Sequence, residues 1–234
     1  VERDDNGFVW AASRTGVLRV TADDYRLYEL PYATTDVMQV KMACRGNLLV
    51  VATQNGQVFR YNPVLNKFEQ WVALSSLLGN EEWVTNLLID GGGKVWISTS
   101  AGIFYWTGGE VVRFFDGMAG FSNIAFLLDD CRALAFIQSS VYCINTRECT
   151  QEKLKGDFPH AISSLRYDGR NNRVWIGTYN AGLWQYELKE QAVRKAALPR
   201  LPKLIVRDIL IPDSASLWLG IDGGGIWILD SEAC

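Results

Sequence analysis

Short apolar runs and small polar turns alternate along the whole chain. In residues 171–186, NNRVWIGTYNAGLWQY, two apolar runs flank a polar turn that ends at Gly182. The apolar spacing of an amphipathic helix, about 3.6 residues, is not sustained in any segment, and turn residues return roughly every 8 to 12 positions. The pattern therefore predicts an all-β chain of short antiparallel strands with almost no helix.

This pair of apolar runs repeats about every 40 residues. Because the repeated tryptophan occurs in most copies, we expect it to be a blade-packing residue in the core rather than part of a single site. Its position in the six copies falls at Trp10, Val50, Trp96, Leu134, Trp175 and Trp218. The strand that carries it is expected to begin near residues 8, 48, 94, 133, 173 and 216.

Each copy contains two further strands. Upstream lies an apolar strand that ends in a turn cluster with Asp90, Asp168 or Asp213, and downstream lies a weaker strand such as residues 67–72. The two central strands are apolar on both faces, which is typical of sheets stacked on other sheets. Four-stranded units of about 40 residues with this burial are typical of β-propeller blades. Six blades are predicted, at residues 1–34, 35–79, 80–119, 120–157, 158–200 and 201–234.

The best copy, residues 162–186, resembles the two-component regulator propeller repeat. The positions that fit are Trp175, Gly177, Thr178, Gly182, Leu183 and Tyr186. Two more copies fit at Trp96, Thr99, Gly102 and Ile103 and at Trp218, Gly220, Gly225 and Ile226. The copy around Leu134 lacks the tryptophan, threonine and glycine, and the last copy has Ile221 in place of threonine. The resemblance covers nearly the entire chain.

The resemblance implies a sensor role. Such repeats are similar to those in the periplasmic sensor regions of hybrid two-component histidine kinases of gut Bacteroides-type bacteria. There, tandem seven-bladed propellers precede a small sandwich domain, a membrane helix and a cytoplasmic kinase. The implied location is therefore periplasmic, and the implied partners are a second propeller and a dimer partner.

The two ends of the chain supply parts of different blades. Residues 1–4 align with only the end of a first strand, and the last copy stops at Cys234 before a fourth strand. We therefore expect an open arc of about six blades from a larger, seven-bladed propeller. Its unpaired edges should make the isolated segment express poorly.

Composition and charge exclude some partners. The formal net charge is -3 and the isoelectric point is near 5.3, whereas proteins that bind nucleic acid or anionic membranes carry a clustered basic excess. The densest basic run, residues 189–207, is interpreted as a solvated strand edge and loop. No apolar stretch reaches the roughly 20 residues of a membrane span.

The sequence predicts neither a cofactor nor a metal. The five cysteines contain no CxxC pair, so free thiols are expected, with a Cys143–Cys149 pair across a hairpin as the alternative. Asp90, Asp168 and Asp213 are expected to cap turns rather than to bind metal, because the alternating oxygen ligands of a calcium loop are missing.

A ligand site is expected in the loops at the mouth of a propeller's central channel. These loops join the second strand to the third, and the fourth to the first strand of the next blade. Planar polar groups and aromatic rings are the combination that binds sugars. The predicted ligand-binding residues are Arg14, Asn55, Glu82, Trp83, Asn86, His160, Tyr179, Asn180 and Asp222.

Two of these residues have alternative interpretations. Trp83 lies off the repeat position, where it either closes a loop over the blade or forms a ligand platform or interface anchor. His160 is the single histidine, and it is either a hydrogen-bonded loop residue or a ligand contact.

The leading functional hypothesis is a non-catalytic sensor propeller that responds to an oligosaccharide. A first alternative is a propeller-fold glycosidase or lyase that uses Glu82 and Asp222, whose carboxyl groups would have to lie roughly 5 to 9.5 Å apart. A second alternative is a plain protein-interaction scaffold.

Overall fold

The structure is a computed structural model, and it describes residues 1–30, 39–74, 77–79, 82–114, 122–137, 139–196, 205–212 and 216–230. These residues contain 23 strands in six sheets, and the prediction of an all-β fold without helices is confirmed for them. Five sheets have four strands and one has three, all paired antiparallel with their neighbours in sequence. Among these residues, no helix is long and apolar enough to cross a membrane. The chain divides into two compact units, residues 1–124 and 125–234.

Unit 1 contains three four-stranded sheets, which we call blades 1 to 3. Blade 1 consists of β1 (Glu2–Arg3), β2 (Val9–Ser13), β3 (Gly16–Val20) and β4 (Tyr25–Tyr28). Blade 2 consists of β5 (Val40–Arg45), β6 (Leu48–Thr53), β7 (Gln57–Asn62) and β8 (Lys67–Ala73). Blade 3 consists of β9 (Val84–Ile89), β10 (Val95–Thr99), β11 (Gly102–Trp106) and β12 (Val111–Arg113).

Unit 2 contains blades 4 to 6, and the boundary between the units falls within the first strand of blade 4. Blade 4 consists of β13 (Ser122–Leu127), β14 (Arg132–Ile137), β15 (Ser140–Asn145) and β16 (Thr150–Lys153). Blade 5 consists of β17 (Ile162–Asp168), β18 (Arg173–Thr178), β19 (Leu183–Glu187) and β20 (Ala192–Lys195). Blade 6 consists of β21 (Val206–Leu210), β22 (Ser216–Ile221) and β23 (Gly225–Asp230).

The second strand of each blade begins within one residue of its predicted start. These strands carry the highest density of apolar side chains, and every residue of β10 is buried. Both faces of β10 are therefore covered, as expected for a central strand of a stacked sheet. The repeat period therefore predicts the blade order correctly.

Gly177 shows why a glycine follows the tryptophan. A Cβ atom at this position would collide with the Ser164 Oγ atom and would lie 2.9 Å from Val206 Cβ, in the first strand of the next blade. The missing side chain lets β18 of blade 5 approach β21 of blade 6 closely.

Asp90 and Asp168 cap turns, as predicted, and in blades 1 and 3 an aspartate also accepts a hydrogen bond from the buried tryptophan. In blade 3, Asp90 Oδ1 accepts the backbone N–H groups of Gly92 and Lys94, and Asp90 Oδ2 accepts the indole N–H of Trp96 at 3.0 Å. Asp4 Oδ2 accepts the Trp10 indole N–H in blade 1 at 2.8 Å. A buried indole N–H usually finds such an acceptor. Asp213 lies outside the described residues.

Blade 5 keeps the tryptophan and the aspartate but not the bond between them. Asp168 Oδ2 accepts hydrogen bonds from Arg173 Nε at 3.1 Å and from Asn171 Nδ2 at 2.8 Å. The Arg173 guanidinium lies 4.4 Å from the centre of the Trp175 ring. The buried Trp175 indole N–H has no hydrogen-bond partner among the described residues. Arg173 therefore takes the acceptor that the tryptophan uses in blades 1 and 3.

Trp218 corrects the expectation that all the repeated tryptophans are fully buried. Trp96 and Trp175 are buried, but Trp218 is half-buried. Its cross-strand neighbours Leu210 and Ile228 are both exposed. This face of blade 6 is not covered by the described residues.

Candidate functional site

The turns between second and third strands are fixed by a recurring backbone bond. The first residue of the turn donates its N–H to the carbonyl of a residue that precedes the blade's first strand. The bond joins Gln54 to Gln39, Ser100 to Trp83, Tyr179 to Ala161 and Asp222 to Ile205, at distances of 2.9 to 3.0 Å. Within each of blades 2, 3, 5 and 6, this bond holds the turn next to the residue that precedes the blade's first strand.

A threonine before the turn adds rigidity in blades 3 and 5. Thr178 Oγ1 accepts the N–H of Ala181 at 2.9 Å and donates to the carbonyl of Gly182 at 2.7 Å. Thr99 makes the same pair of bonds around the turn of blade 3. Gly182 has a φ of 79°, in the left-handed region that glycine adopts without strain. The Tyr179 side chain thus extends from a turn whose backbone is held on both sides.

Three side chains in unit 2 meet at these turns, and we call them the Tyr179–Arg207–Asp222 cluster. Arg207 Nη2 donates to Asp222 Oδ2 at 2.6 Å. The Arg207 guanidinium carbon lies 5.7 Å from the centre of the Tyr179 ring. Two residues predicted from the sequence, Tyr179 and Asp222, are therefore brought together across blades 5 and 6 by Arg207, the last residue of the basic run at 189–207.

A β-bulge places Arg207 in the cluster. In the ladder between β21 and β22, Val206 pairs with Ile221 and Asp208 pairs with Gly220, which leaves Arg207 unpaired. The same shift occurs in blade 3 at Thr85 and in blade 5 at Ser163. A bulge redirects the side chain of the extra residue, and bulges are frequent next to functional sites.

The residue at the bulge differs between blades. Thr85 donates to Ser98 Oγ at 2.9 Å, and Ser163 donates to the carbonyl of Val206 at 2.6 Å, so both hydroxyls serve local packing. Arg207 instead extends to Asp222. When the first strands are aligned at their first apolar residues, Val84, Ile162 and Val206, the next position shows this change from threonine or serine to arginine, a signal present in the sequence.

The ion pair in the cluster contributes little to stability. The side chains of Arg207 and Asp222 are 54% and 48% exposed, and exposed pairs contribute about 0 to 1 kcal/mol. The pair therefore leaves two charged groups accessible at the end of a rigid scaffold.

Trp83 lies in a second group of loop residues, in unit 1. The backbone N–H of Trp83 donates to Ser100 Oγ at 3.0 Å, and the residue is 40% exposed. The N–H of Val84 donates to the carbonyl of Gln54, whose buried Oε1 atom has no partner among the described residues. The backbone of Trp83 is thus fixed while part of the ring stays accessible, as a ligand platform requires.

The other predicted residues have separate surroundings. Glu82 Oε2 accepts the N–H of Gly79 at 2.7 Å, and Asn86 Nδ2 donates to Asn123 Oδ1 and to the carbonyl of Ile124. Asn55 Oδ1 accepts a hydrogen bond from Thr53 within its own turn. Arg14 lies in the turn between β2 and β3. These four residues belong to unit 1, whereas the Tyr179–Arg207–Asp222 cluster belongs to unit 2.

His160 and Asn180 flank the cluster in sequence. His160 precedes Ala161, whose carbonyl holds Tyr179, and Asn180 follows Tyr179. Both residues are exposed. The His160 side chain makes no hydrogen bond to the described residues, which differs from the interpretation of a hydrogen-bonded loop histidine.

The groups considered for catalysis are the carboxylates of Glu82 and Asp222 and the cysteine thiols. Glu82 and Asp222 belong to different units, and each carboxylate already has a partner. No disulfide joins Cys44, Cys131, Cys143 or Cys149, so the alternative Cys143–Cys149 pair is not formed, while Cys234 lies outside the described residues. Burial raises the pKa of Cys44 to about 11 with help from Asp4, and burial also raises the pKa of Cys143. A raised pKa keeps a thiol protonated and weakly nucleophilic.

No cluster of metal ligands is present in the part of the chain that the structure describes. A cavity of about 50 Å³ lies in unit 1 between the turns of blades 1 and 2. Its lining includes Asp4, Trp10 and Tyr61 but none of the predicted ligand residues.

Comparisons with known proteins concern the fold. No protein-family model matches the chain, and no curated protein sequence matches it. The extracellular domain of the hybrid two-component system BT4673 from B. thetaiotaomicron matches with a TM-score of 0.76 at 19% identity, over 98% of this chain and 33% of that one. The corresponding domain of BT3049 from the same organism matches with a TM-score of 0.70 at 17% identity, over 99% and 33%.

A computationally designed protein, Ika8, matches with a TM-score of 0.61 at 11% identity, over 96% of this chain and 71% of that one. The chain spans about a third of the length of the two-component structures that it matches. The repeat motif of this chain resembles the two-component regulator propeller repeat, and both of these matched structures are extracellular domains of two-component systems. At such identities the likeness shows the fold, and the predicted β-propeller architecture is confirmed.

Proposed function

We propose that this chain is a non-catalytic sensor propeller that recognises a carbohydrate. It would form part of the extracellular or periplasmic region of a hybrid two-component signalling protein. The support for this setting is the repeat motif and the structural likeness to the extracellular domains of BT4673 and BT3049.

The observation that carries the ligand-binding role is the Tyr179–Arg207–Asp222 cluster. The same β-bulge occurs in blades 3, 5 and 6. It carries Thr85 in blade 3, Ser163 in blade 5 and the exposed Arg207 in blade 6. The arginine meets a carboxylate and an aromatic ring, which are the groups that bind hydroxyls and the apolar face of a sugar.

A ligand at this cluster would touch two blades at once. Tyr179 belongs to the turn of blade 5, whereas Arg207 and Asp222 belong to blade 6. Binding would favour the arrangement of the blades in which all three side chains reach the sugar, and a signalling protein responds to such a shift in population. A second propeller and a dimer partner would transmit the shift.

Calorimetric titration of the full-length protein with a panel of oligosaccharides tests the proposal. Tyr179→Ala should weaken binding about fivefold or more, because stacking on an aromatic ring contributes roughly 1 kcal/mol or more. Tyr25→Ala is a matched control, since Tyr25 is an exposed tyrosine of β4 outside the cluster. Absence of binding to every glycan would overturn the carbohydrate role.

The same panel separates the alternatives. A glycosidase or lyase would release new chain ends, and the release would stop in Glu82→Gln and Asp222→Asn. A protein-interaction scaffold would bind no glycan and release no product.

A further inference from the structure

We infer that the Tyr179–Arg207–Asp222 cluster selects a neutral sugar with two adjacent free hydroxyls over its uronate or sulfated counterparts. The inference rests on the proposed carbohydrate-binding function and specifies the chemical class of the ligand. It follows from the hydrogen-bonding capacity and the charge balance of the cluster.

The cluster has both donors and acceptors to spare. A guanidinium carries five N–H donors and a carboxylate has two acceptor oxygens. The bond from Arg207 Nη2 to Asp222 Oδ2 uses one donor and one oxygen. A hydroxyl group both donates and accepts, so one hydroxyl of a diol can accept from Arg207 while its neighbour donates to Asp222. The ion pair stays intact when such a ligand binds.

An anionic ligand gains no comparable advantage. It would be attracted to Arg207 and repelled by Asp222 at similar distances, and the two Coulomb energies are of the same order. To bind the guanidinium alone, the anion would have to displace Asp222 from a contact of 2.6 Å.

The tethered turn keeps Asp222 nearby even if the ion pair opens. The Asp222 N–H donates to the carbonyl of Ile205, and the Gly224 N–H donates to the carbonyl of Ile221. The carboxylate can rotate but its backbone cannot leave the site. Repulsion of an anion therefore persists after displacement.

Tyr179 supplies the apolar contact. The Arg207 guanidinium lies over the ring at 5.7 Å, so a sugar that stacks on the accessible part of the ring lies beside the ion pair. Its adjacent hydroxyls would then point to Arg207 and Asp222. A sugar ring whose charged substituent occupies this position would lose one of these contacts.

Titration with matched glycans tests the inference. The probes are neutral hexose and pentose oligosaccharides and oligogalacturonides of one length, prepared as methyl esters and as free acids. We expect binding of at least one neutral glycan and an affinity about tenfold or more weaker for the free acid than for its neutral ester or hexose analogue at low salt.

Variants separate charge from shape. Asp222→Asn removes the repulsion but keeps the side-chain size, so the preference for the neutral member should fall about tenfold. Glu190→Gln is the matched control, because Glu190 forms an equally short exposed pair with Arg194 in blade 5. It should leave both affinities unchanged, and melting curves should show that both variants fold.

The outcomes distinguish this inference from the proposed function. Tighter binding of the free acid, or an unchanged preference in Asp222→Asn, would overturn the neutral-ligand inference and leave the carbohydrate role standing. Absence of binding to every neutral and acidic glycan would overturn both.

Discussion

Blades 3 and 5 contain a tryptophan and an aspartate at the same repeat positions, yet the hydrogen bonds of these residues differ. In blade 3 the Trp96 indole donates to Asp90, and in blade 5 Arg173 takes the oxygen of Asp168 and leaves the Trp175 indole without a partner. Both tryptophans are nevertheless fully buried. Apolar packing therefore holds the tryptophan in each blade, and the polar bond is an addition that one blade can lose.

Removing the whole side chain should have the largest effect. Trp96→Ala and Trp175→Ala should each lower the free energy of unfolding by about 3 to 5 kcal/mol, because each leaves a large cavity in a packed core. Trp218→Ala should cost less, because Trp218 is half-buried. Denaturant unfolding measures all three, and an equal loss for Trp218 would show that its exposed surroundings were misjudged.

Replacing the indole by phenylalanine isolates the polar bond. Trp96→Phe removes the donor to Asp90 and should cost about 1.5 to 3 kcal/mol more than Trp175→Phe, which removes no hydrogen bond. Chemical denaturation of the two variants under the same conditions gives the difference. Equal costs would mean that the bond between Trp96 and Asp90 contributes nothing.

Blade 5 should also respond to acid through Asp168. Burial raises the pKa of Asp168, but hydrogen bonds from Asn171 and Arg173 outweigh this effect and leave the pKa below its usual value. The unfolded chain therefore takes up the proton first, and the stabilisation is complete above about pH 5 and is lost as the pH falls below about 4. Unfolding measured from pH 5 to pH 3 should show a smaller loss for Asp168→Asn than for the unmodified protein. Parallel losses would contradict the prediction.

The smallest effect on the free energy of unfolding is expected when Arg173 of blade 5 is replaced by lysine, the residue at the same position in blade 3. Lys94 occupies the position of Arg173, two residues before the tryptophan. Arg173→Lys should change the free energy of unfolding by no more than about 1 kcal/mol, because Asp168 exchanges one hydrogen bond for another. In that background Trp175→Phe should become more costly by about 1 kcal/mol, as a double-mutant cycle would show. A cycle without coupling would mean that Asp168 does not turn to the indole.

The strand order was predictable because it depends on a regular pattern. Apolar runs such as β18 and turn residues such as Gly182 recur at fixed spacing, and both act locally. Tyr179 and Asp222 were found for the same reason, since the repeat alignment places them at the first position of their turns.

The contacts of Arg207 with Tyr179 and Asp222, and the bond between Trp96 and Asp90, were beyond this reasoning. The bulge at Arg207 depends on how two strands pair, and a change of one residue in register is invisible in the apolar pattern. The exposure of Trp218 was missed because burial depends on the neighbouring sheet rather than on the residue itself. Side-chain geometry decides whether Asp168 accepts a hydrogen bond from Arg173 or from Trp175, and the sequence pattern does not show this geometry.

The bulge in the first strand has a consequence for how such a protein can change over generations. The backbone bonds around it are the same whether the residue is Thr85, Ser163 or Arg207, so a mutation there leaves the pairing of the strands untouched. Selection can therefore test new side chains at this position of blades 3, 5 and 6 without changing how the strands pair. A repeat protein with this property could acquire a new ligand by single substitutions, while the rest of each blade stays under purifying selection for packing.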